Sequence, residues 1–107
     1  MPIANIDATS TFAPEKMQKN GLFASDQLFC DVYCLEPGQE QRVHVHQESD
    51  KIYHVFDGAG VFTLGDEESE QVAGDVIHAP AGIAHGVANR SAARLRCLVV
   101  IAPPPRH

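Results

Sequence analysis

Apolar and polar residues alternate over short stretches of this chain, and Gly and Pro break the alternation at short intervals. That pattern predicts many short strands rather than long helices. Residues 28–35 read as a strand that is apolar on both sides, with Cys30, Val32 and Cys34 on one face and Phe29, Tyr33 and Leu35 on the other. A strand of this kind is expected to be covered twice. Further strands are predicted at residues 42–46, 51–56, 60–64, 71–72, 76–79, 85–88 and 95–102. Turns at residues 36–38, 57–58, 74–75 and 80–82 separate them, and the acidic stretch 65–70 reads as a solvent-facing hairpin. Pro103, Pro104 and Pro105 lack amide hydrogens and end the sheet. Ahead of the strands, Pro14 is expected to start a short helical turn through Lys19, with Asn20 and Gly21 as a left-handed stop. Residues 1–24 thus form an N-terminal arm anchored by Phe12, Leu22 and Phe23, residues 25–107 form a barrel with a short tail, and His107 is expected to be mobile.

Size and composition narrow this picture. The chain of 107 residues has room for one core. Its 44% hydrophobic and 21% charged content is that of a globular domain. Fourteen acidic against eight basic side chains give a formal charge of -6. With no cluster of Lys and Arg to offset it, that charge repels a phosphate backbone and argues against nucleic acid as partner. The longest strongly apolar run, residues 97–102, is far short of the ~20 residues of a membrane-spanning helix, so no membrane partner is expected. Residues 1–11 show neither the basic region nor the apolar core of an export signal, which makes the cytoplasm the expected compartment. Cys30 and Cys34, if on one strand, stand about 13 Å apart, beyond disulfide reach. With Cys97 they make an odd set of three, expected to be free thiols packed in the core.

The chemistry begins with His44 and His46, which are two residues apart and so share one face of a strand. Two neutral imidazoles on one face supply half of a transition-metal site, and a third, His85, follows the turn at Pro80. These residues sit inside two stretches that resemble the motifs of the cupin superfamily. The first is Gly38-Gln-Glu-Gln-Arg-Val-His44-Val-His46, followed by Gly58. The second runs from Gly74-Asp-Val-Ile-His-Ala-Pro80 through Gly82 and His85 to Asn89, and it fits at every signature position. The resemblance implies an all-β fold: a single cupin barrel, the double-stranded β-helix or jelly roll, in a small one-domain protein. It also implies that His44, His46 and His85 hold a divalent metal, with Fe, Mn, Ni and Zn all admitted by this donor set.

One position departs from the family. Where the resemblance places a glutamate ligand, seven residues before Gly58, this chain has Lys51. An ammonium cannot ligate a metal. Three accounts stay open: an open three-histidine centre, a carboxylate borrowed from Asp50 or Glu48, or a metal-free pocket in which Lys51 and the histidines bind an anionic or carbonyl ligand. The first is preferred. Lys51 itself is expected to cover the barrel mouth with its stem and pair with Asp50, Glu48 or Asp57, a Schiff-base role being the alternative. Strand parity that turns Lys51 inward turns Tyr53 inward too and His54 outward. Tyr53 is therefore a candidate to orient a ligand or water, and His78 a candidate acid or base near the cavity mouth. Asn89 is expected to bond around its turn.

The function that follows is a metal-dependent dioxygenase, isomerase or decarboxylase acting on a small carbonyl or acidic compound, with oxidation preferred. The alternative is a non-catalytic cupin that binds a small organic ligand in the barrel, with or without metal. A homodimer is the expected assembly, because the doubly apolar strand and the apolar arm offer surface to a second copy.

Overall fold

The computed structural model describes residues 1–105; the expectation for His107 lies outside them. One helical turn, α1 (Ile6–Thr9), precedes nine strands: β1 (Gln18–Ala24), β2 (Phe29–Leu35), β3 (Glu40–His44), β4 (Asp50–Asp57), β5 (Ala59–Leu64), β6 (Glu67–Val72), β7 (Val76–Ala79), β8 (His85–Ala88) and β9 (Leu95–Ala102). They form a five-stranded antiparallel sheet in the order β1-β2-β9-β4-β7 and a four-stranded one in the order β3-β8-β5-β6. The core lies between them and is built from Leu35, Val55, Phe62, Val87, Leu95, Cys97 and Val99, with Tyr33 and Tyr53. This is the expected double-stranded β-helix.

The N-terminal segment differs from its expectation. Residues 14–16 only bend, the single helical turn comes earlier, and residues 18–24 pair with β2 as an edge strand. The turn signal at Asn20-Gly21 yields to the backbone hydrogen bonds that β2 offers, and the pairing shifts register between Gly21 and Phe23. The remainder of the segment does cover β2. Asn5 caps α1 by accepting from the amide of Ala8, and Asn20 donates to the Cys34 sulfur. Arg96 of β9 ties the segment down, reaching Asp57, Asp7 and the Ser10 hydroxyl while its guanidinium stacks 4.8 Å from the Phe56 ring centre. The second half of β2, from Val32 to Leu35, is accordingly buried on both faces. Cys30, Cys34 and Cys97 are free thiols, and burial pushes the Cys97 thiol up to about 12.

The turn from β4 into β5 depends on Gly58. Its φ of +88° is left-handed, and a Cβ there would press on the Arg94 carbonyl oxygen and lie 3.0 Å from the Leu95 Cα. We expect Gly58→Ala to cost about 2–4 kcal/mol in a urea denaturation series, from strain and overpacking together. A loss under about 0.5 kcal/mol would mean that the turn has room to relax.

Candidate metal centre

The site is assembled where β3 meets β8. His44 and His85 are direct partners across these strands, and His46 follows two residues beyond His44, just past the end of β3. The approach is close because β8 carries Gly86: a Cβ there would lie 2.9 Å from the Gln41 carbonyl oxygen and 3.0 Å from the Val43 backbone. The register of β3 also shifts between Gln41 and His44, which re-aims the histidine end of the strand.

The three imidazoles converge. Each offers a ring nitrogen within 4.8 Å of the others, and the ring centres of His44 lie 4.7 Å from His46 and 4.5 Å from His85. The hydrogen bonds set the tautomers. Nδ1 of His44 lies 2.7 Å from the Arg42 carbonyl oxygen, and Nδ1 of His85 lies 2.9 Å from that of Ile83. A carbonyl only accepts, so each Nδ1 holds the proton and each Nε2 presents a lone pair. Nε2 of His85 is buried and has no partner among the described residues. Nε2 of His44 faces Nε2 of His46 at 3.1 Å, so the His44 lone pair meets either a hydrogen on His46 Nε2 or a cation held between the two nitrogens.

Burial, above all, holds all three rings below the usual histidine value, His85 down to about 4, and the charge of Lys51 adds to the effect in each case. The rings are thus neutral donors at neutral pH. Adjacent nitrogens around a metal bonded at about 2.1 Å stand roughly 3–3.5 Å apart. The His44 and His46 pair meets that spacing, and the wider trio needs a modest ring shift. An orphaned buried lone pair, carbonyl-locked tautomers and neutral rings together fit a divalent transition metal.

The carboxylate is missing from this cluster. Asp50 is turned outward, accepting from the Ala81 amide and meeting Nε2 of His78 at 3.0 Å, and Glu48 lines a neighbouring cleft of about 690 Å³. The borrowed-carboxylate account therefore fails for Asp50, whose oxygens are used elsewhere.

Lys51 faces inward and is fully buried, and its Nζ has no hydrogen-bond partner among the described residues. The expected pairing with Asp50, Glu48 or Asp57 does not form, because β4 points the side chain into the barrel. Nζ lies instead 4.8 Å from the ring centres of both Tyr33 and Tyr53. Burial first, and Lys19 second, pull its pKa down to about 7.

The other candidates divide. Tyr53 is buried with its ring centre 6.3 Å from that of His85, and its hydroxyl donates to Oε1 of Gln41 at 2.7 Å. Nε2 of Gln41 in turn donates to the Tyr33 hydroxyl at 3.3 Å. Gln41 carries no signal in the sequence, because its importance comes from two tyrosines on other strands. His78 sits on the outward side of β7 beside Asp50 and is not brought to the histidine trio. A cleft of about 840 Å³ opens onto Tyr33, Gln41, His44 and His46, with Lys19 and Asp31 also along its walls.

Comparison with known proteins agrees with the fold and the motifs. The profile of the family described as Cupin domain matches residues 31–101, and the chain belongs to that family. The protein TT1209 of Thermus thermophilus is similar in structure, with a TM-score of 0.95, 44% identity and coverage of 98% of this chain and 100% of that one. A predicted oxalate decarboxylase from Thermotoga maritima aligns with a TM-score of 0.78 at 25% identity, over 82% of this chain and 81% of that one. An uncharacterized protein of Methanocaldococcus jannaschii is 33% identical over 65% of this chain, and the match spans 56% of the relative's length.

The buried amine makes a testable demand on stability. A lysine whose folded value lies near 7 and whose unfolded value lies near 10.5 binds more protons unfolded, so it destabilises the fold below pH 7 and progressively less as pH rises toward 10.5. We expect Lys51→Met to be about 1–4 kcal/mol more stable than the parent at pH 7 by chemical denaturation, with the gap shrinking as pH rises to 10. A gap that ignores pH would show that the amine is solvated.

Proposed function

We propose that this cupin is a metal-dependent protein in which His44, His46 and His85 hold one divalent transition metal and a small carbonyl or acidic compound reacts at its open positions. The observation that carries the reading is the buried, partnerless Nε2 of His85 beside the facing nitrogens of His44 and His46. Such a lone pair costs about 1–3 kcal/mol unless something accepts it, and a metal does. A metal bound by three neutral imidazoles would act as a Lewis acid toward a ligand oxygen and, if redox-active, as a site for oxygen chemistry.

The remaining work falls to the chain's own groups. The cleft limits the ligand to a small molecule. Gln41 locks the hydroxyl of Tyr53, which burial holds in its protonated form. That hydroxyl therefore serves to hold Gln41, which lines the cleft, and not as a base. The similar Thermotoga maritima protein is named for a reaction on oxalate, which supports an acidic compound and a decarboxylation alongside oxidation and isomerisation. A second reading, a metal-free pocket that binds a small ligand without turnover, is favoured by one observation, the buried cation Lys51 near the three donors.

Elemental analysis decides between them. Protein purified without added metal and then equilibrated with Fe(II), Mn(II), Ni(II) or Zn(II) is expected to retain about one ion per chain, and His46→Ala and His85→Ala less than a tenth of that. Parent protein that retains none of the four would sink the metal reading in favour of the metal-free pocket.

A further inference from the structure

Lys51 is the feature that neither the barrel's packing nor the histidine trio accounts for. Its ammonium lies in the core with no acceptor among the described residues. The two tyrosine faces at 4.8 Å are its nearest compensation, with Asp31 attracting it without a hydrogen bond. Cation–π contacts contribute about 0.5–2 kcal/mol, while burying an ion costs several kcal/mol even after relaxation. A methionine would fill the same volume without that penalty. The position is therefore poorly explained by packing alone.

The charges around the site point the same way. Three neutral imidazoles, a divalent ion and an ammonium would bring together three positive charges. Around Lys51 stand Asp31, which attracts it, Lys19, which opposes it, and the Cys97 thiol. Asp31 makes no hydrogen bond to Nζ and is itself partly desolvated. The family's glutamate would have supplied one negative charge, and this chain supplies a positive one in its place. The donors present are also one-sided. As an ammonium, Nζ can only donate, and the Tyr33 hydroxyl, already accepting from Gln41, has no acceptor for its own hydrogen among the described residues. Tyr33 lines the same cleft as His44 and His46. Lys51 does not itself line that cleft, but its Nζ lies 4.8 Å from the ring centre of Tyr33, which does, and what is missing beside these donors is an anionic acceptor.

We propose that the ligand of this site is a small carboxylate, and that Lys51 and Tyr33 are the residues that receive and select it. The proposal rests on the reading of the site as one that binds a small ligand beside the histidine trio, with the ligand bringing the negative charge that the protein's donor set lacks. It gives Lys51 a role as a binding residue, with no covalent step.

The test compares acids with their neutral amides of the same shape: pyruvate with pyruvamide, and malonate with malonamide. Binding is measured by titration calorimetry on metal-equilibrated parent, Lys51→Met, Lys51→Arg and Tyr33→Phe, with metal content and circular dichroism recorded on the same samples. At least one acid is expected to bind the parent tenfold or more tightly than its amide. Lys51→Met should lose that preference, Lys51→Arg should keep part of it, and Tyr33→Phe should weaken the acid several-fold while remaining folded. Equal binding of acid and amide, binding of neither, or a preference that survives Lys51→Met in folded protein overturns the proposal. The metal measurement separates the two readings. A Lys51-dependent acid preference in protein that holds no metal keeps this inference and removes the metal, whereas metal-loaded protein without the preference removes this inference alone.

Discussion

The pairing of β3 with β8 is the constraint from which the rest of the site follows. His44 and His85 stand opposite each other because these two strands are in that register, and the register is held close by Gly86, where any side chain would collide with the β3 backbone. A one-residue slip would turn His85 out of the barrel and Gly86 into it. The shift in register between Gln41 and His44 lets one short strand do two things. Its first half delivers Gln41 to the two buried tyrosines, and its second half delivers His44 to the trio.

The buried polar groups of this barrel fall into two kinds, and the difference is chemical. Asn89 is fully buried and satisfied: its amide nitrogen donates to the carbonyls of Leu35 and Ala93, and its oxygen accepts from Ser91. Ser49 likewise donates to the Pro103 carbonyl. These groups pin turns together and have nothing left to offer. Lys51 and His85 are as deeply buried and keep an unpaired atom each. A fold that satisfies its structural polar groups this fully and leaves two bare in its interior has set them apart from its packing.

Much of this architecture is legible in the sequence because Gly and Pro punctuate it and period-two alternation gives parity. From Lys51 inward, parity alone places Tyr53 inside and His54 on the other face, and the burial along β4 has that alternation. The spacing of the histidines, read together with the cupin motifs, brings the trio together. Three features are not legible. β1 carries Asn and Gly in mid-strand and becomes a strand only because β2 has an unpaired edge to offer. Gln41 looks like a surface residue in the run Gln-Glu-Gln-Arg, and its burial depends on Tyr33 and Tyr53 meeting it across strands. The surroundings of His78 are set by Asp50, 28 residues away, through the pairing of β4 with β7.

Lys51 shows why a motif departure is best read through the structure and not as a lost ligand. From the sequence, lysine at the glutamate position suggests a stem that covers the barrel mouth and an ammonium paired with Asp50, Glu48 or Asp57. β4 forbids that, since its pairings with β7 and β9 fix Lys51 opposite Ala79 and Ile101, all three pointing into the barrel. The substitution therefore reverses the sign of the charge inside the pocket while leaving the imidazoles in place. A glutamate would compete with an incoming anion for the metal and repel it from the cleft. On the proposed reading, a lysine at the same depth would leave a coordination position open and attract the anion instead, so that a carboxylate from the ligand would stand where the family motif places one from the protein.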